Sequence, residues 1–338
     1  MPLFQKDPLQ IICFDAYGTA SHFYLRGRAL EDETIDLDKK GWFHLVLNTW
    51  KRFESDEIKS IGLNITLPNG VVLKTKTDQH GYFKVKAEVS GLAAFADQEG
   101  WLAFEVAYND IPLNRIIQQK NSFKGKILIP SIKADYGVIT DIDDTILHTG
   151  VVSRLKWKVL YNTVFKTAKS RSPLKGASAF YNQLHQGKTL ENANPIFYVS
   201  HSPWNLYRYL DLFLRQNDFP KGPILLRSFQ SIFRRKSVGD KPQKQIEILN
   251  ILETYPDLRF ILIGDSGERD ADIYKEIAAL FPDRILAIYL RSVNHKRKMI
   301  RVKGLFDNYK TTPILFVENS NQAVEHAKEL GFIKEKQS

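Results

Sequence analysis

Two regimes of hydrophobic patterning divide the chain. Up to about residue 130, apolar and polar positions alternate in short runs at 71–76, 82–88 and 101–108, with a last run at 126–130. Alternation with period two is the mark of a strand buried on one face. Asn69-Gly70 is a strong hairpin signal, and residues 78–81 (Asp-Gln-His-Gly) read as a turn between two of the runs. Residues 42–59 carry Phe43, Leu45, Val46, Leu47, Trp50 and Phe53 in a spacing closer to a helix than to a strand. Seven or so short strands predict a β-sandwich of the immunoglobulin or transthyretin kind.

From Gly137 the pattern changes. Short apolar runs at Val138-Ile139, 195–200, 224–226, 260–265, 285–289 and 314–317 alternate with helix candidates at about 204–216, 242–255, 270–281 and 321–330. Strands alternating with helices predict a mainly parallel, Rossmann-like α/β sheet. The last helix carries Ala323, Val324, Ala327 and Leu330 on one face, and Gly331 is placed to end it. The expected organisation is therefore an N-terminal β-sandwich domain over 1–132 and an α/β domain over 133–338.

Composition narrows the picture. A chain of 338 residues, 43% hydrophobic and 12% aromatic, has material for about two cores. Its single cysteine, Cys13, has no internal partner, so a reducing, cytoplasmic compartment is the expectation. Without a run of 18 apolar residues, and with Lys6, Asp7, Asp15, Arg26 and Arg28 near the start, neither a membrane span nor a secretory leader is expected. The formal charge of +10 is uneven: residues 1–134 hold 17 Lys and Arg against 16 Asp and Glu, residues 135–338 hold 31 against 22. The second part should attract an anionic partner.

The chemistry concentrates after the first α/β strand, in Thr140-Asp141-Ile142-Asp143-Asp144-Thr145. An open α/β sheet gathers ligands at the carboxyl ends of its strands, so Asp141 and Asp143 should converge on one crevice with Thr145 just beyond. One carboxylate can attack phosphorus, and a second can protonate the leaving alkoxide. A calcium loop or a solvated acidic turn fits less well, because Ile146 and Leu147 stand where further ligands would be needed. Two later strand ends carry suitable groups: Ser200, which could equally be a turn or N-cap serine, and Asp265, with Asp270 at the following helix start as N-cap or metal ligand. A phosphoryl group among carboxylates requires a cation, and Lys241 and Lys244 are the candidates. His22, His44 and His80 stand apart and form no constellation in the N-terminal region.

The order of these pieces resembles the haloacid-dehalogenase-like phosphotransferases. Residues 137–149 (Gly-Val-Ile-Thr-Asp-Ile-Asp-Asp-Thr-Ile-Leu-His-Thr), 198–206 (Tyr-Val-Ser-His-Ser-Pro-Trp-Asn-Leu), Lys244 leading to Tyr255-Pro256, and 260–268 (Phe-Ile-Leu-Ile-Gly-Asp-Ser-Gly-Glu) resemble one family more closely. That family is the actin-patch type of magnesium-dependent phosphatidate phosphatase, with its bacterial relatives; residues 78–83 also fit its N-terminal β region. The resemblance implies a haloacid-dehalogenase-like catalytic domain using Mg²⁺. In it Asp141 would be nucleophile and metal ligand, and Asp143 general acid/base with a backbone carbonyl on the metal. Thr145 would orient these groups, Ser200 would bind the phosphoryl, and Lys244 would neutralise it. Asp265 would complete the metal site with Asp270 in support. His201 departs from the small or amide residue frequent in the family.

The implied substrate is phosphatidate or another anionic lipid phosphate, with no nucleic-acid partner expected. A soluble, protein or nucleic-acid phosphate is the alternative substrate, and an inactive scaffold the alternative of another class. Residues 153–171 read as a helix with Arg154, Lys158, Lys166 and Lys169 opposite an aromatic side of Trp157, Leu160 and Tyr161. That helix, with Arg234-Arg235-Lys236 and the run at 295–298 (His-Lys-Arg-Lys), could contact a membrane surface peripherally; ordinary core packing and solvated loops are the plainer readings.

Overall fold

The computed structural model describes residues 8–31, 57–109, 115–143, 145–146, 176–190, 193–227, 241–267, 269–293 and 295–334. The expected helix over 153–171, the basic run 234–236 and all of 42–59 except its last three residues lie outside them. The chain divides into two compact units, Met1–Pro130 and Ser131–Ser338.

In the first unit, β1 (Leu9–Cys13), β2 (Ala16–Gly18), β3 (His22–Glu31), β4 (Gly62–Thr66), β5 (Val72–Lys76), β6 (Tyr82–Glu88), β7 (Trp101–Tyr108) and β8 (Phe123–Leu128) follow the alternating pattern. Phe104 and Val106 point inward while Ala103 and Glu105 face out. The strands expected to form two facing sheets are hydrogen-bonded into one eight-stranded sheet of order β1-β3-β2-β8-β7-β4-β5, with β6 also on β3. Ten-residue β3 makes this continuity: β6 runs along one edge, and β1 and β2 share the other. Asn69-Gly70 closes the β4–β5 hairpin, where Gly70 takes φ +84°, a conformation glycine adopts without steric cost. The turn at 78–81 is present, but it leads from β5 to β6, which pair with different strands.

The second unit contains β9 (Gly137–Thr140), α1 (Ala177–Gln186), β10 (Ile196–Pro203), α2 (Tyr207–Gln216), β11 (Ile224–Arg227), α3 (Gln243–Thr254), β12 (Phe260–Asp265), α4 (Asp270–Leu280), β13 (Ile285–Arg291), α5 (Lys296–Phe306), β14 (Ile314–Val317) and α6 (Ser320–Glu329). Its six strands run parallel in the order β11-β10-β9-β12-β13-β14. β9 and β12 are buried throughout, which explains their unbroken apolar runs. The order reverses between β9 and β12, the switch point at which a doubly wound sheet opens a crevice beyond its strand ends.

Two helices went unforeseen. α1 buries Ala177, Phe180, Tyr181 and Leu184 at helical spacing, a readable pattern in a short segment. α5 has only Val302 and Phe306 buried, so its polarity hid its period. The basic run at 295–298, read as a solvated loop, instead opens α5, with the His295 ring accepting from the Lys298 backbone N–H. Gly331 ends α6 as expected, at φ +70° with its N–H on Lys328 O.

Candidate active site

The cluster is assembled at the switch point. The Asp141 N–H donates to Ile263 O, which locks the end of β9 to β12 and puts the Asp141 carboxylate beyond both strands. Lys244, in the first turn of α3, is buried to its tip, an arrangement an ammonium tolerates only with close anionic partners. It has two: Nζ lies 2.6 Å from Asp141 Oδ1 and 2.6 Å from Asp270 Oδ1. Lys241, the other candidate cation, is exposed.

Thr145 Oγ1 donates to Asp141 Oδ2 at 3.3 Å, so the two oxygens of Asp141 are held by different groups. Asp270 occupies the first position of α4, and the cap position before it belongs to Arg269. The Asp270 carboxylate binds Lys244 through Oδ1, while Oδ2 receives the Asp265 N–H at 3.3 Å. Gly264 packs against the Asp270 carboxylate: a Cβ there would sit 2.6 Å from Asp270 Oδ2. Asp265 ends β12 and is fully buried, its Oδ2 beside Gly267.

On the β10 side, Ser200 Oγ donates to Asp143 Oδ2 at 2.6 Å. Ser202 does so too, at 3.2 Å, and its N–H donates to Ser200 Oγ at 2.8 Å. Ser202 is not among the site residues that the sequence predicts, because Pro203 after it reads as the start of a helix rather than as part of a strand. β10 in fact continues to Pro203, and the two-residue period of a strand could have placed both serines on one side.

Two tyrosines close the cluster from below. Tyr274 OH donates to Ile263 O, and Tyr181 OH lies 2.6 Å from Thr140 Oγ1. Burial, reinforced by the Asp270 carboxylate, pushes the Tyr274 phenol well up, and burial does the same for Tyr181, so both stay neutral. Among the described residues the cluster sets four carboxylates, Asp141, Asp143, Asp265 and Asp270, against the one ammonium of Lys244. No three His, Cys, Asp or Glu side chains among those residues form a cage that would hold an ion alone.

This is a doubly wound α/β domain whose polar groups converge from three adjacent strands on the switch-point crevice. Residues 136–292 match the family described as phosphatidate phosphatase APP1, catalytic domain, the family that the motifs resemble. Phosphatidate phosphatase APP1 of Saccharomyces cerevisiae is 37% identical over 156 residues, which cover 46% of this chain and 25% of that protein. An uncharacterised Schizosaccharomyces pombe protein is 32% identical over 158 residues, with the same shares. The chain thus matches about a quarter of the length of either relative.

Proposed function

We propose that this chain is a Mg²⁺-dependent phosphatidate phosphatase, hydrolysing phosphatidate to diacylglycerol and inorganic phosphate on a haloacid-dehalogenase-like domain. One observation carries the reading: Lys244 joins Asp141 to Asp270 within 2.6 Å of each, while Ser200 and Ser202 hold Asp143 on the adjacent strand. The name of the yeast relative and the matched family support the substrate.

In this reading Lys244 and Thr145 fix the plane of the Asp141 carboxylate. An Asp141 oxygen forms a bond to phosphorus as the bond from phosphorus to the lipid oxygen breaks, giving an aspartyl-phosphate. Asp143, held through Oδ2 by two hydroxyls, in its protonated form passes a proton to the departing diacylglycerol oxygen. Asp143 then takes a proton from the water that attacks phosphorus, releasing phosphate and restoring Asp141. Lys244 and Ser200 face the phosphoryl oxygens.

A divalent cation fits the donor set. Buried carboxylates outnumber the ammonium, their oxygens are hard donors, and Mg²⁺ is commonly held by one or two carboxylates with water and substrate phosphate completing its shell. Asp141, Asp265 and the Asp143 carbonyl would hold it; Asp270, engaged with Lys244 and the Asp265 N–H, supports them. Once bound, Mg²⁺ would neutralise charge on the phosphoryl oxygens.

Peripheral contact with an anionic membrane belongs to the same proposal. Lys298 Nζ donates to Gly267 O at 2.6 Å, tying the start of α5 to the loop after Asp265. Exposed His295, Lys296 and Arg297 therefore stand beside the crevice, with exposed Ile300 one turn on. Among the described residues no helix is long and apolar enough to cross a membrane.

Phosphate release from phosphatidate in mixed micelles tests the reading, with and without Mg²⁺, beside a soluble phosphate ester and the Asp141→Asn variant. Metal-dependent release that Asp141→Asn abolishes is expected. Turnover of the soluble ester alone would overturn the lipid substrate, and no turnover of either would favour a scaffold.

A further inference from the structure

A cavity of about 240 Å³ opens next to the phosphoryl cluster, between the carboxyl ends of β12–β14 and the first turns of α1 and α6. Its inner walls are Ala177, Phe180, Tyr181, Tyr289, Val317 and Ala323, all buried. The two phenol oxygens among them are engaged, Tyr181 with Thr140 and Tyr289 with the His326 ring at 3.1 Å, so the rings offer mainly carbon surface. Polar groups gather at the rim, where Glu318 and Asn319 are exposed and Arg291 is half-buried.

Two residues join this cavity to the reaction centre. Thr145 lines it and also donates to Asp141 Oδ2. Gly264 lines it and also abuts Asp270. A group bound here thus lies one side chain from the carboxylate assigned to attack phosphorus. A sugar or amino-acid phosphate would need donors and acceptors along those walls, since each of its hydroxyls would otherwise be desolvated without a partner. A hydrocarbon needs none.

We propose that this cavity receives the apolar tail of the substrate, nearest the ester oxygen, and so selects phosphate monoesters of lipids over those of small polar alcohols. The inference rests on the phosphatase reading above but not on phosphatidate itself. Ala323 and Ala177 line the cavity, and half-exposed Ser320 lies at its rim.

The test compares glycerol 3-phosphate, n-alkyl phosphates from butyl to dodecyl and phosphatidate, using the full chain and the variants Ala323→Leu and Ser320→Trp. Thermal unfolding checks that each variant is folded. For the unaltered protein, kcat/KM should rise with alkyl length by at least tenfold over glycerol 3-phosphate. Ala323→Leu should remove most of that gain, about tenfold on the long esters, with glycerol 3-phosphate changed less than twofold. Ser320→Trp, at the half-exposed rim, should act in the same direction if the interior change disturbs folding.

A flat chain-length profile, or an equal loss on every ester in a folded variant, would overturn the proposal. A rising alkyl profile without phosphatidate turnover would keep the apolar cavity and defeat phosphatidate as substrate. No turnover of any ester would defeat both.

Discussion

Lys244 Nζ meets Asp141 Oδ1 at 2.6 Å across 103 residues of sequence, and both groups are buried. A pair so deep is costly to form and costlier to break singly, because the survivor remains as an unpaired buried charge. Lys244→Met should therefore destabilise the protein by about 3–5 kcal/mol and abolish phosphate release. Asp141→Asn, which leaves Asp270 to the ammonium, should cost less stability while being as inactive. Urea unfolding midpoints beside single-turnover rates separate the two effects; equal stability losses would contradict the ion triad.

Ser202 shares Asp143 Oδ2 with Ser200. When Ser200 turns to a phosphoryl oxygen, Ser202 is left to hold the acid/base in place. Ser202→Ala should lower kcat by up to about tenfold, the worth of one hydrogen bond, with KM little changed. Ser202→Thr, which keeps the hydroxyl, should restore much of the rate. A loss confined to KM would show that Ser202 serves binding instead.

Two glycines should respond oppositely to alanine. At Gly264 the added methyl would sit 2.6 Å from Asp270 Oδ2 and 2.7 Å from Tyr274 Cε2, so Asp270 must move off Lys244. About 1–3 kcal/mol of stability should go, together with activity. At Gly304, inside α5, the nearest atom is 3.8 Å away, and alanine should stabilise by roughly 0.5–1 kcal/mol through helix propensity. Thermal melts of the two variants, compared with the parent, check both signs.

The start of α5 predicts a membrane phenotype. Lys296→Gln and Arg297→Gln each remove a cation worth about 1 kcal/mol near an anionic surface, or about fivefold in vesicle affinity. Turnover of a soluble ester should be unaffected, because neither side chain is among the reacting groups. Sedimentation with phosphatidylserine vesicles measures the first effect; unchanged pelleting would remove α5 from any membrane contact.

Cys13, half-buried in β1, donates weakly to Phe123 O, and burial followed by the Asp15 carboxylate pushes its thiol well up. With the folded pKa raised, the thiolate stays scarce above pH 8.5, where an ordinary cysteine is largely ionised. Iodoacetamide labelling should thus remain slow up to pH 9 in the folded protein and rise with pH after denaturation. Fast labelling at pH 8 without denaturant would contradict this placement.

Local chemistry alone made much of the chain legible. Period-two alternation marked β5, β6 and β7, unbroken apolar runs marked β9 and β12, and the spacing of Asp141, Asp143 and Thr145 announced a strand-end site. These follow from steric and solvation preferences that act within a few residues. Other features depended on partners distant in sequence: the single continuous sheet in the first unit needed both edges of β3, and α5 hid behind its own charge. Tertiary structure also brought Lys244 rather than Lys241 to Asp141, turned Asp270 from a helix cap into an ion-pair partner, and added Ser202 to Asp143. A sequence carries the kinds of groups a reaction needs, but their convergence belongs to the order of strands in the sheet, because only β9, β10 and β12 lying side by side bring those side chains within hydrogen-bond reach.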